Sequence, residues 1–552
     1  MKAFTAVCFV ALVLGQEAAA TPIVSTQLGQ VQGTTGESRN GRMFYSFKGI
    51  PYGKSERFQA PVVADKWADV KDATAPATPC IQYSPFSREI FGEEEGKLHP
   101  VIVYLHGGLN NDGDSESFEP KYFMDEDVIL VVPNFRLGVF GFLSTQDNVV
   151  QGNMGLRDQV LALKFVKENI EKFGGDSNRV TILGSGAGGE DAFLHTLSPP
   201  SKGLVDNVIN MGGTTLSRIA FILDPVTEAK KFGTQVGCPV DSSDALVACL
   251  KGKPAKELLE KMTKLNPAAL NIAEFAWFGP VVEKLMPGQT EEDLIVSDNP
   301  IKLMKDGKIV NKVPMIMGGN EHEGLNIVTA TLYKEKALME KLDKQWMDIA
   351  PELFVYKDTA KDKDVVSAKI REFYFKDKPI NDETFAKLYE IFNDRFMGFG
   401  LVISSQLYSK SAPVYLYYFA HVPETSGIKF FGVDKSFGMA HLDDLQFLFK
   451  LNLPGFKFPE ITKESKEYEL SQNLVKILSS FAENGKPTKV WGEGKEWKRM
   501  DAGDPSKWYK IGTETHFHTT APEQFTPRIG FWIDIFNKEL SKEKETPDFP
   551  KL

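Results

Sequence analysis

The chain has 552 residues, of which 42% are hydrophobic and 25% charged, the make-up of a large globular protein with ample material for a core. Its 64 Lys and Arg against 74 Asp and Glu leave a formal charge of −10. That sign, with no basic run and no aromatic-plus-basic stripe, argues against nucleic acid or an anionic membrane surface as a partner.

Taken in chain order, the first signal is N-terminal. Lys2, an apolar stretch from Ala3 to Leu14, and Gly15-Gln16-Glu17-Ala18-Ala19-Ala20 predict a signal peptide cleaved near Ala20. The stretch is too short to span a bilayer comfortably. Residues 1–20 are thus expected to be a leader and residues 21–552 a single secreted domain without a membrane anchor. Cys8 would leave with the leader. Cys238 and Cys249 bracket a segment rich in Ser and Asp and predict a loop disulfide, two buried thiols being the alternative. Cys80 is left as a buried thiol or a link to another chain.

Pro22 to Gly33 alternate like a small strand pair around Gly29, and Phe44 to Tyr52 read as a strand closing in a Pro-terminated turn. Val101–Leu105 and Val128–Val132 are short apolar runs, the pattern of strands buried on both faces. Leu156, Val160, Leu163, Val166 and Ile170 recur at helical spacing, and Gly174-Gly175 stops the helix. Val180–Leu183 is a third buried run. Further strands are expected at Pro314–Asn320 and Pro413–Phe419, amphipathic helices over 330–410, and a late helix at Leu470–Phe481. Alternating strands and helices predict an α/β protein with a large, mostly parallel sheet and helices on both faces. Sites in such folds form at the carboxyl ends of the strands.

The run Gly184-Ser185-Gly186-Ala187-Gly188 follows the third buried strand and precedes a helix start. Strand, tight glycine-rich turn and helix is the setting of a nucleophile elbow, G-x-S-x-G. Here the middle position is Gly186. Several further segments lie in matching order: Phe47-Lys48-Gly49-Ile50-Pro51-Tyr52, His106-Gly107-Gly108, Asn134 through Leu143, Gly152 through Gln159, and Phe173-Gly174-Gly175-Asp176 through Ile182. Together they resemble the type-B carboxylesterase family, which includes the cholinesterases and juvenile hormone esterases, over almost the whole mature chain. The resemblance implies the α/β-hydrolase fold, with helical insertions forming a deep, largely apolar gorge. It does not by itself imply activity.

The family's chemistry needs a serine nucleophile, an acid and a histidine base in that chain order. The resemblance puts the acid at Glu323, the base at His441 and the nucleophile at Gly186. Ser185 is a poor substitute, because adjacent residues of a tight turn project in different directions and the family's equivalent points away from the gorge. The oxyanion-hole positions fall on Gly108, Leu109 and Ala187, with Leu109 where the family has glycine. A further family serine falls on Gly212. The segment between Cys80 and His106 is short: it lacks the family's E-D-C-L-Y-L-N strand, and with it the partner cysteine of Cys80 and the usual acidic partner of Arg136. Glu93, Glu94 and Glu95 are candidates for that charge.

These departures predict a secreted pseudoenzyme that binds or carries a hydrophobic small molecule. The alternatives are a structural, storage or protein-interaction role, or residual ester hydrolysis through Ser185 or a water activated by His441. Background catalysis of about 10³–10⁴ over water can survive loss of a triad member. No metal or cofactor is called for.

Overall fold

The computed structural model of the protein describes residues 4–13, 21–75, 98–216, 221–262, 278–453, 456–488, 496–512, 516–518 and 525–540. Eleven strands form the path of the main sheet: β1 (Phe4–Val13), β2 (Thr34–Glu37), β3 (Met43–Ser55), β4 (His99–Leu105), β5 (Ile129–Val131), β6 (Gly175–Ser185), β7 (Asn207–Met211), β8 (Met315–Asn320), β9 (Val414–Phe419), β10 (Trp508–Ile511) and β11 (His516–His518). Their spatial order is β11-β10-β9-β8-β7-β6-β4-β5-β1-β3-β2. The run from β5 to β10 is parallel, and β1, β2 and β11 pair antiparallel to their neighbours. A separate antiparallel pair, Ile23–Ser25 with Gln30–Gln32, matches the pair expected around Gly29.

The continuous apolar runs are explained by burial on both faces. In β4, Val101, Val103 and Leu105 pack into one core, whereas Ile102 and Tyr104 pack into another on the opposite side. Helix α1 (Met154–Asn169) and helix α2 (Ala187–Leu197) supply Leu163, Val166 and Phe193 to the first core, and α3 (Phe399–Tyr408) supplies Val402 and Ile403. Helix α4 (Tyr468–Asn484) covers the second with Leu474, Leu478 and Phe481. A single 3-10 turn follows α1 and ends at Gly174 with φ 80°, the left-handed cap expected of that glycine.

One expectation is revised in the fold. The strand at Phe44–Tyr52 does not end at Pro51; it runs on to Ser55. The register between β1 and β3 shifts at this point, Ala6 facing Gly53 and Val7 facing Pro51, so Tyr52 is the extra residue of a bulge. A bulge is where a proline fits inside a sheet. Phe4–Val13, the apolar centre of the expected leader, is a strand between β3 and β5 in the unprocessed chain. A run of about ten apolar residues satisfies either description, because periodicity alone does not separate them.

The middle region is helical at Pro225–Gln235, Ser243–Gly252 and Ala255–Met262. Cys238 and Cys249 are joined in a disulfide, which ties the end of the first of these helices to the second. Cys80 lies outside the described residues. Among the described residues no helix is long and apolar enough to cross a membrane.

Candidate active site

The elbow is built by steric demands that can be read glycine by glycine. A Cβ on Gly184 would lie 2.0 Å from the Gly188 carbonyl oxygen, and one on Gly188 would lie 2.1 Å from that of Leu105. Both positions are closed to any side chain. Gly186 differs. It holds φ 54° and ψ −122° between β6 and α2. Its N–H donates to the Met211 carbonyl (2.8 Å), and its own carbonyl accepts from Gly189 and Glu190. A Cβ there would sit 3.5 Å from His441 Cε1 and Nε2, ordinary contact distance. The turn therefore leaves room for a side chain beside the imidazole at the one position that lacks it. Glycine adopts this backbone at little cost, whereas other residues are strained by it.

His441 and Glu323 come together across 118 residues of sequence. His441 Nδ1 and Glu323 Oε2 are 2.5 Å apart, and the Glu323 side chain is 4% exposed. Backbone bonds lace the two loops: the His322 N–H donates to Met439 O and the His441 N–H to Leu325 O. Glu323 Oε1 also accepts from the Asn320 N–H at 2.6 Å. A Cβ on Gly212 or Gly319 would fall 2.8 or 2.6 Å from that oxygen, so the carboxylate sits in a socket made by two glycines. Gly212, where a serine was expected from the resemblance, is one wall of it.

Ser185 is the last residue of β6, fully buried. Its Oγ is hydrogen-bonded to the Tyr104 hydroxyl at 2.8 Å. Tyr104 packs on Phe118 and Phe449 with ring centroids 4.8 and 4.7 Å away, within the second core. The hydroxyl of Ser185 is thus engaged in the core packing below the elbow.

The turn after β4 lies against the elbow, since a Cβ on Gly107 would be 2.9 Å from Ser185 O. Gly108 has φ 104° and Leu109 φ 55°. Leu109 keeps a left-handed backbone despite its side chain, a strain of about 1–2 kcal/mol. The loop is held from behind: Gly138 N–H donates to Asn110 O (2.7 Å), and Ser115 N–H to Asn134 Oδ1 (2.9 Å). Arg136, in that supporting segment, forms a two-pronged pair with Asp158 of α1, Nε to Oδ2 at 2.7 Å and Nη2 to Oδ1 at 2.8 Å. Glu93, Glu94 and Glu95 lie outside the described residues; Asp158 is a carboxylate on this guanidinium.

Several carboxyls near the site were not singled out from sequence. Asp443 accepts from Ser426 Oγ and from the N–H groups of Gly427 and Ala440. Burial, reinforced by Glu323, pushes Asp444 up to about 7, and burial pushes Asp443 up to about 6. Their signal was position alone, two acids directly after the histidine loop. Burial opposes charge on His441, but the Glu323 carboxylate outweighs it, with Asp444 and Asp443 adding to the pull, and the imidazole's pKa is raised. Asp112 and Asp191 are likewise pushed up to about 7 by burial. All these groups hold protons in the folded chain that the unfolded chain releases at lower pH. Stability from them is present at mildly acid pH and is lost as pH rises through the folded values. The thermal midpoint, followed by tryptophan fluorescence, is expected to fall between pH 6 and pH 8; a rise across that window would contradict this assignment.

A pocket enclosing about 630 Å³ of non-atom space, open solvent included, lies at the carboxyl ends of β7, β8 and β9. Gly212, Gly319, Glu323, Tyr418, Trp508 and Arg528 are among its walls. It adjoins the acid, and neither Gly186 nor His441 lines it. Among the described residues no cluster of His, Cys, Asp and Glu could hold a metal ion.

A mostly parallel sheet carrying an elbow, a strand-end acid and a late histidine defines the α/β-hydrolase class. The solved structure of juvenile hormone esterase from Manduca sexta, with OTFP covalently attached, superposes with a TM-score of 0.79 at 23% identity, covering 94% of this chain and 100% of that one. The carboxylesterase family model matches residues 20–532. The chain is 32% identical to a juvenile hormone esterase of Tribolium castaneum (96% of this chain, 95% of that protein). It is 31% identical to esterase E4 of Myzus persicae (94% and 96%) and 30% to a carboxylic ester hydrolase of Bombus ignitus (95% and 96%). The protein belongs to the carboxylesterase family.

Proposed function

We propose that this member of the family is a secreted, non-catalytic carrier of a hydrophobic small molecule, held in the space its relatives use for ester substrates. One observation carries the reading. The elbow places Gly186 beside His441 Nε2 with room for a side chain and no hydroxyl on it, while Ser185 Oγ is committed to Tyr104. Among the described residues, serine, the attacking atom's source in this chemistry, has no stand-in hydrogen-bonded to the base. Binding asks only for shape and apolar surface, which the missing hydroxyl does not remove. The expected leader and the disulfide between Cys238 and Cys249 suit an oxidising, extracellular setting. Protein taken from its native source is expected to carry an apolar molecule visible in native mass spectrometry, and to take no label from a fluorophosphonate. An empty protein that also binds no lipid, isoprenoid ester or pigment would overturn the proposal.

A second reading is favoured by the intact pair of Glu323 and His441. A water over Gly186 could pass its proton to His441 and attack an ester directly. Slow turnover that disappears in His441→Ala, with no covalent label, would mark this route. A structural or protein-partner role has no comparable observation behind it.

A further inference from the structure

The pocket beside Glu323 holds two polar groups that the protein itself does not satisfy. Glycine backbone at the ends of β7 and β8 forms its floor, and Met397, Leu401, Tyr418 and Trp508 supply apolar walls. Tyr417 and Asn320 line it as well. Gly318 lies opposite Tyr417 in the register of β8 and β9, and a Cβ on it would fall 2.3 Å from the Tyr417 ring. The ring therefore lies across the face of β8 that Gly318 shares with Asn320, two residues further on. Tyr417 is 3% exposed and Asn320 5%. Among the described residues, nothing is hydrogen-bonded to the Tyr417 hydroxyl or to Asn320 Oδ1. Asn320 Nδ2 donates to Ala440 O at 2.8 Å, which fixes the amide's orientation and leaves Oδ1 as the acceptor. Buried polar groups in folded proteins are almost all paired. A free hydroxyl donor and a free acceptor in the walls of one apolar pocket call for a ligand group that can both accept and donate.

We infer that this pocket receives the polar end of the carried molecule, and that the molecule is an apolar alcohol whose hydroxyl accepts from Tyr417 and donates to Asn320 Oδ1. The inference rests on the carrier reading and names its ligand class. Other head groups fit less well. A carboxylate meets Glu321 and Glu323 in the walls. The single cation among the lining residues, Arg528, already faces Glu390 at 3.3 Å and Asp394 at 2.9 Å. An ammonium can donate to Asn320 but offers the Tyr417 proton no acceptor. An ether or ester oxygen takes the Tyr417 proton but has none to give, which leaves Asn320 Oδ1 buried and unpaired, a cost the alcohol does not carry.

Isothermal titration calorimetry at pH 7 on the delipidated full chain compares octan-1-ol with its isomer heptyl methyl ether, with octanoate and with octylammonium. Octan-1-ol is expected to bind at least about tenfold more tightly than each of the others. Tyr417→Phe removes only the unpaired hydroxyl. Its thermal midpoint is expected to match or exceed the parent's, while octan-1-ol binds at least about fivefold more weakly. Met397→Trp, at a partly exposed wall position, fills the pocket and is expected to abolish octan-1-ol binding; it decides the matter if Tyr417→Phe does not fold. Equal affinity for alcohol and ether, tighter binding of octanoate or octylammonium, or an octan-1-ol affinity that both variants preserve would each overturn the inference and leave the carrier reading standing. The same holds if none of the four binds to a protein that native mass spectrometry finds loaded with an apolar molecule. A native protein that is empty and binds none of them would overturn the carrier reading as well.

Discussion

Gly186→Ser is expected to turn the protein into an esterase. The new Cβ meets the imidazole at 3.5 Å, so Oγ falls within reach of Nε2, and the orientation of His441 by Glu323 is already in place. Removing a nucleophilic serine costs on the order of 10⁶ in turnover in a well-studied case. Restoring it here should recover less, because Leu109 holds a strained backbone in the turn after β4. A gain of at least about 10³ over the parent protein on 4-nitrophenyl acetate is the expected result, together with fluorophosphonate labelling at residue 186 and loss of both in the double variant with His441→Ala. The same substitution should lower stability by about 1–3 kcal/mol, since serine must adopt φ 54°. A folded variant with no label and no turnover would show that the turn at Gly108 and Leu109 no longer presents its N–H groups.

The largest effect on stability is expected at Arg136 and Asp158, whose side chains are 3% and 1% exposed. Asp158→Ala takes a buried carboxylate from the Arg136 guanidinium, a cost of about 3–5 kcal/mol. It also strips a bond from the Arg136 N–H, which donates to the same carboxylate at 3.0 Å. The double variant Arg136→Met with Asp158→Leu should lose much less than the sum of the single changes, because no charge is then stranded. Midpoints of guanidinium unfolding for the four proteins provide the comparison, and additive losses would refute the pairing. The segment around Arg136 also braces Asn110 and Ser115, so the single variants should loosen the turn after β4.

Most of the sheet was legible because strands buried on both faces are short, dense apolar runs, and Val101–Leu105, Val128–Val132 and Val180–Leu183 were each found where they lie in the sheet. The tight turn was legible because its outer glycines are sterically forced, and the pairing of Glu323 with His441 could be looked for because both follow strand and loop patterns of a known family. Other features had no linear trace. Asp158 is paired with Arg136 through the packing of α1, 22 residues along the chain. The glycine socket around Glu323 joins Gly212 to Gly319, and only coordinates show that the acid needs both. The left-handed backbone at Leu109 is invisible in a sequence, where leucine carries no sign of it. At the N-terminus one string of residues satisfied two descriptions.

The N-terminal strand gives the expected leader a topological consequence. β1 pairs antiparallel with β3 on one side and with β5 on the other, so those two neighbours run parallel to each other. Excision of residues 1–20 would leave them two strand spacings apart, about 9.6 Å. Parallel neighbours can bond directly once they meet. A chain shortened in this way that closes the seam would carry β3 as an eighth member of the parallel run, and would differ from the full chain in the wiring of its central sheet as well as in length.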